Sequence, residues 1–153
     1  MRRALALAQA AADAGEAPIG AVVYETATGR VLAQAHNTRE SHHDPAGHAE
    51  LIAVREAGKA LGDWRLNACT LVVTLEPCAM CAGAIVNARV GRLVYGAADP
   101  KAGAVASLYR LCQDPRLNHR IEPIGGVLAR PSAELLRAFF RARRARRDKP
   151  KGS

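Results

Sequence analysis

The sequence contains no apolar run of 18 residues, so it predicts no membrane-spanning helix. No small-residue cleavage site follows the stretch from Met1 to Ala10, although Arg2 and Arg3 precede alanines and leucines there. That stretch runs straight into a helical pattern, which argues against a secretory leader and for a cytoplasmic address. There is no internal repeat and no linker. The low hydrophobicity and high charge of disordered chains are missing too: 49% hydrophobic and 24% charged residues are ordinary globular values. The 153 residues are too few for two domains of roughly 100 or more each. They suffice for one domain burying ~70% of its unfolded surface. A single domain is expected over residues 1–146, with a basic, disordered tail at 147–153.

Acid is what the C-terminal end lacks. From Arg137 to Ser153, eight basic residues face the single acid Asp148, a net +7 out of +8 for the whole chain. The body is nearly neutral and the end is a cationic arm. Such an arm suits a polyanion, either nucleic acid or an anionic membrane surface. A solvated arm that aids solubility is the plainer reading.

What is present alternates between strand and helix signals. Ala4–Ala14 reads as an alanine-rich helix that stops at Gly15. Ile19–Tyr24 and Val31–His36 read as a hairpin turning at Thr28-Gly29-Arg30. Asn37–Gly47 is a polar loop containing Asp44-Pro45. Leu51, Val54 and Leu61 recur at helical spacing within Glu50–Leu61, ahead of Gly62. Asn67–Leu75 carries Leu71-Val72-Val73, typical of a strand buried on both faces. Pro77 is expected to open a helix to about Ala88, followed by a strand at Arg92–Tyr95. A short helix at Ala104–Cys112 and a weak strand at Ile121–Ile124 follow. Ser132 is expected to cap a last helix with Leu135, Leu136, Phe139 and Phe140 on its apolar face, Phe139 packing inward. This order predicts an α/β fold: a three-layer α/β/α sandwich around a mixed sheet of about five strands.

The four cysteines are Cys69, Cys78, Cys81 and Cys112. Disulfides do not suit a cytoplasmic chain. Cys78 and Cys81 form a Cys-x-x-Cys pair at a predicted helix start, so both sulfurs can face one point. A helix N-terminus also favours thiolate over thiol. His48-Ala49-Glu50 lies at another helix start 30 residues earlier. One histidine and two cysteines suit zinc, and three protein ligands leave the fourth position open, as catalytic sites do. A structural site would need Cys69 or Cys112 as well, and Cys69 reads better as a small core residue. A redox pair would leave His48-Ala49-Glu50 without a role. Glu50, beside the metal and not on it, could shuttle a proton from water to a leaving amine. A lone helical glutamate is more usually a solvated charge.

His48-Ala49-Glu50 with Pro77-Cys78-Ala79-Met80-Cys81 matches the H-x-E…P-C-x-x-C signature of the zinc nucleobase deaminases. Glu16–Val22, His36-Asn37, His43-Asp44-Pro45, Thr74–Ala84, Asp99–Gly103, Leu117–Arg120 and Phe139–Arg144 further resemble the bacterial tRNA-specific adenosine deaminases. The similarity runs from about Arg3 to Arg144. It departs from the family at Ala46-Gly47, where Thr-Ala is usual, which predicts a looser loop ahead of the histidine. It departs again at Ala102, where the family has threonine.

The resemblance implies a cytidine deaminase-like fold and hydrolytic deamination of adenosine to inosine at the wobble position of an arginine tRNA. It implies a homodimer with one zinc per subunit, held by His48, Cys78 and Cys81, and Glu50 as proton shuttle. Asn37 should hydrogen-bond the target nucleotide, the Ala49 backbone amide should face the base, and Ile19 should pack on it. Asp99, Lys101, Asn118, His119, Phe140 and Arg141 should lie along the anticodon loop. The rivals are a deaminase of free guanine or cytosine, sharing every zinc residue, and a zinc-stabilised RNA-binding module without catalysis.

Overall fold

A computed structural model describes residues 1–147. Helix α1 (Arg2–Asp13) is followed by strands β1 (Gly20–Glu25) and β2 (Val31–His36), helix α2 (Ala49–Leu61), strand β3 (Cys69–Leu75), helix α3 (Ala79–Asn87), strand β4 (Arg92–Ala97) and helix α4 (Ala129–Arg147). The four-stranded sheet has the order β2-β1-β3-β4. β1 runs antiparallel to both β2 and β3, and β3 runs parallel to β4 across the α3 crossover.

The strands alternate their faces, and this alternation builds the layers. Ala21, Val23, Leu71, Val73, Leu93 and Tyr95 point into the larger core with Ala53, Ala57 and Ile85 of α2 and α3. Val22 and Val72 face the other way, against Ala4 and Leu7 of α1. α4 shares that second face, lying on β4 and β3 beside α1. α1 buries only alanines (Ala4, Ala8 and Ala11), which brings its backbone close to the sheet. α2 stops at Gly62, whose left-handed φ of 74° suits glycine.

Four expectations are corrected. The fifth strand is reduced to one parallel bridge, Val94 to Ile124. Pro123 has no N–H to donate and Gly125-Gly126 follow at once, so Ile121–Ile124 cannot sustain a ladder. The helix expected at Ala104–Cys112 is a set of turns ending in a single 3-10 turn at Leu111–Gln113. The amides of Val105, Ala106 and Ser107 donate to the Glu76 carboxylate, not to carbonyls four residues back. Ser132 is not a cap. α4 begins at Ala129, and the buried Ser132 hydroxyl donates to Leu128 O inside the first turn. Pro131 fits that turn because its missing N–H would have had no helical partner there. α3 likewise begins at Ala79, with Cys78 as its N-cap and Pro77 outside.

α4 continues through Arg147, one residue into the segment expected to be a disordered tail. The rest of that tail, 148–153, lies outside the described residues. Phe139 is half-buried and Phe140 exposed, their rings edge to face at 5.3 Å. None of the described helices is long and apolar enough to cross a membrane.

Candidate active site

The site forms where two helices begin. His48 is the N-cap of α2 and Cys78 the N-cap of α3. His48 Nδ1 lies 3.7 Å from Cys78 Sγ and 3.5 Å from Cys81 Sγ, and all three ligand atoms fall within 4.8 Å of one another. Zn–S and Zn–N bonds near 2.3 and 2.05 Å at a tetrahedral angle place nitrogen and sulfur about 3.6 Å apart. The observed separations fit that figure. The donor set, one imidazole and two sulfurs at the positive ends of two helices, is the chemistry zinc selects.

Protons occupy the site in characteristic ways. The Cys78 thiol is held down at about 4, chiefly by the hydrogen bond from Cys81. Cys81, as donor in that bond and largely buried, is pushed up. His48 is raised by its bond to Cys78. A bound cation would take the place of these shared protons, because metal ligands must be deprotonated.

Glu50 is 4% exposed, and burial pushes its carboxyl up to about 7. Its Oε2 is buried without a hydrogen-bond partner among the described residues. An orphaned carboxylate oxygen beside the His48, Cys78 and Cys81 group awaits a donor from elsewhere. Burial thus makes this carboxyl a weaker acid than a solvated glutamate.

Asn37 is buried where the loop leaves β2, with its N–H donating to Ile19 O at 3.2 Å. Its Oδ1 accepts from the Ala49 N–H at 2.9 Å. Through that bond Asn37 caps the first amide of α2. The same bond fixes the amide so that Asn37 Nδ2 is its remaining donor. The structure therefore brings together Ile19, Asn37, His48, Ala49, Glu50, Cys78 and Cys81.

The loop ahead of the histidine is tied, not loose. Thr38 N–H donates to Gly47 O at 2.9 Å, and Ala46 N–H to Asp44 Oδ1 at 2.9 Å. The buried Glu16 carboxylate accepts the amides of Glu40 and Ser41 at 3.1 and 2.6 Å. These bonds supply the order that the small Ala46-Gly47 pair cannot.

Asp99 and Lys101 form an exposed turn next to the cysteine side of the site. Asp99 Oδ1 accepts the Lys101 amide at 3.0 Å, and Gly103 N–H donates to Asp99 O. Gly103 then pairs with Cys78 in an isolated bridge. On the other side, Arg143 of α4 reaches Glu40 at 3.3 Å, so the basic end of α4, with Phe140 and Arg141, adjoins the Asn37–His48 loop. Asn118 and His119 are not brought to the His48, Cys78 and Cys81 group. His119 Nε2 lies 2.7 Å from Val90 O, beyond the far end of the nine-residue α3, roughly 13 Å from its start.

Sequence reasoning missed Glu16 and Glu76. Each looks like a solvated charge in a single sequence, and their donors lie 23 to 31 residues away along the chain.

A family model described as MafB19-like deaminase matches residues 1–144. The chain is 47% identical over 147 residues to a tRNA-specific adenosine deaminase of Bacillus subtilis, covering 96% of this chain and 90% of that protein. It is 44% identical over 144 residues to the corresponding deaminase of Haemophilus influenzae, covering 94% and 83%. A solved structure from work on A-to-I editing by tRNA:A34 deaminases at the wobble position superposes with a TM-score of 0.84 at 45% identity, over 89% of this chain and 97% of that one. A guanine deaminase from Nitrosomonas europaea superposes at 0.73 with 28% identity, over 89% and 80%.

Proposed function

The chain belongs to the tRNA-specific adenosine deaminases, and we propose that it converts adenosine to inosine at the wobble position of an arginine-tRNA anticodon, releasing ammonia. The observation that carries the reading is the unpartnered Glu50 Oε2, buried beside the His48, Cys78 and Cys81 cluster. His48 Nδ1 and the two thiolates would hold one zinc per subunit. Bound there, zinc supplies the Lewis acidity that draws the pKa of water toward ~7.

Glu50 Oε2 takes a proton from the attacking water and returns it to the amine nitrogen as the C–N bond breaks. Water thus adds one oxygen to the ring carbon, and ammonia leaves with the balancing hydrogens. Asn37 Nδ2 donates to the nucleotide, and Ile19 packs against the base. The target base must be splayed out of the loop to reach this depth. Splayed loops need stacking faces and phosphate contacts. Phe140 on α4 offers a stacking face, Arg141 and Lys101 offer phosphate contacts, and Asp99 holds the Lys101 turn.

A homodimer in the cytoplasm completes the reading. Met80, Leu108 and Tyr109 are exposed near the start of α3, beside a surface cavity of about 640 Å³ whose lining mixes Tyr109 and Leu111 with Arg110, Gln113, Asp114 and Arg116. A second copy of the chain would cover this apolar patch. Asn118 and His119 could then serve substrate held mainly by the other subunit. A free-base deaminase would share the zinc ligands and have no use for the arginines of α4.

The test is inosine formation on an anticodon stem-loop with adenosine at the wobble position, for wild type and Glu50→Gln. Wild type should turn over, and the variant should lose about 100-fold or more while keeping its zinc. Full activity in Glu50→Gln would remove the proton shuttle and the mechanism with it.

A further inference from the structure

Three glutamates are buried: Glu16, Glu50 and Glu76. Glu50 serves the reaction and Glu16 ties the histidine loop. Glu76, 1% exposed, stands immediately before Pro77-Cys78. Its Oε2 accepts the Asp99 amide at 2.9 Å and the Ser107 hydroxyl. Its Oε1 accepts the amides of Val105, Ala106 and Ser107 at 3.2, 2.7 and 2.8 Å. All these donors come from one segment, 99–107. A buried charge is a costly way to fill space. What it achieves here is to gather an irregular segment around one point.

That segment is fastened to the cysteine turn. Gly103 bridges to Cys78, and the Ala104 amide donates to Pro77 O at 2.8 Å. A Cβ on Gly103 would lie 2.4 Å from Glu76 Oε2, so only glycine lets the strap sit this close. The outer side of the same strap presents Asp99 and Lys101.

We propose that Glu76 is a positioning residue that locks the 99–107 strap against Cys78, so that a metal ligand and the Asp99–Lys101 turn hold one geometry. The part concerning the turn rests on the tRNA reading above; the part concerning the metal does not.

The test uses the full-length, zinc-loaded protein. Glu76→Gln keeps the shape, removes the charge and turns an NH2 toward N–H donors. Zinc release to a chromogenic chelator should quicken roughly tenfold, since hydrogen bonds to a charged group disappear. KM for the stem-loop should rise about tenfold while kcat of the zinc-saturated variant stays within about threefold. Gly103→Ala strikes the same junction from the other side, and the double variant should be no worse than the worse single. Two independent structural lesions would multiply instead. Ser107→Ala trims a single donor and folds even if Glu76→Gln does not. It should show the same paired changes at roughly twofold to fivefold. Wild-type zinc release and KM in Ser107→Ala and Glu76→Gln, or multiplying losses in the double variant, overturn the proposal. A wild-type protein that ignores the stem-loop would sink the tRNA reading, and zinc release would still decide the role of Glu76.

Discussion

Replacing Asn37 separates two roles that one side chain holds. Asn37 Oδ1 accepts the first amide of α2 at 2.9 Å in a buried setting, and the proposed function gives its Nδ2 to the nucleotide. Alanine leaves the Ala49 amide unsatisfied. Loss of a cap costs about 1 kcal/mol, and stranding a buried donor about 1–3 kcal/mol, so about 2 kcal/mol is expected. In a domain of this size each kcal/mol moves the melting midpoint by roughly 2–4 °C, giving a fall of about 4–8 °C. Aspartate keeps the accepting oxygen, and an anion is favoured at a helix N-terminus. Asn37→Asp should therefore melt near wild type. Both variants lack the Nδ2 donor, so both should lose about tenfold or more in kcat/KM for the stem-loop. Thermal melts and initial rates of inosine formation, run side by side, read out the two roles. Wild-type kcat/KM in Asn37→Asp would refute the nucleotide bond. An unchanged midpoint in Asn37→Ala would refute the cap.

Further outcomes concern acid, surface charge and the basic helix. Glu16 is held below its usual 4.5, against the effect of its own burial, by the Ser41 and Glu40 amides. A depressed carboxyl stabilises above its unfolded pKa, so this contribution is full above about pH 5 and falls as pH drops below 4.5 toward the folded value. Melting midpoints measured from pH 7 to 3 should fall less steeply in Glu16→Gln than in wild type. The Arg143–Glu40 pair is half-exposed on both sides, so Glu40→Gln should shift stability by no more than about 0.5 kcal/mol in denaturant titrations. Removing all residues after Arg141 takes away Arg143, Arg144, Arg146 and Arg147 of α4. Stem-loop binding should weaken, and its log–log salt slope should flatten by about 0.7 for each phosphate that is no longer neutralised. Equal slopes with and without that end would exclude it from the RNA path.

The chemistry is more legible in the sequence than the architecture around it. His48, Glu50, Cys78 and Cys81 carry a spacing that only a few chemistries use, and helix periodicity after His48 with Pro77 before Cys78 places both groups at helix starts. The His48, Cys78 and Cys81 group can therefore be picked out as a candidate metal set without knowing the fold. Ile121–Ile124 reads as a strand because its apolar β-branched residues outweigh Pro123, yet the fold keeps only the bridge at Ile124. Ser132 looks like a cap in sequence, whereas the fold buries it within α4. Glu16 and Glu76 are illegible for a different reason. Their donors are backbone amides, which leave no residue signature, and they are brought close only by tertiary folding. Asn37 reads as a substrate residue in sequence, and its capping of Ala49 becomes visible only where β2 and α2 meet.

The most direct measurement compares substrates. Zinc-loaded protein would be given the wobble-adenosine stem-loop in parallel with free adenosine, adenine, guanine and cytosine. Inosine formed in the stem-loop with the free compounds left intact is the predicted result. Turnover of a free base with an untouched stem-loop would contradict the account and leave the arginine-rich α4 without its proposed partner.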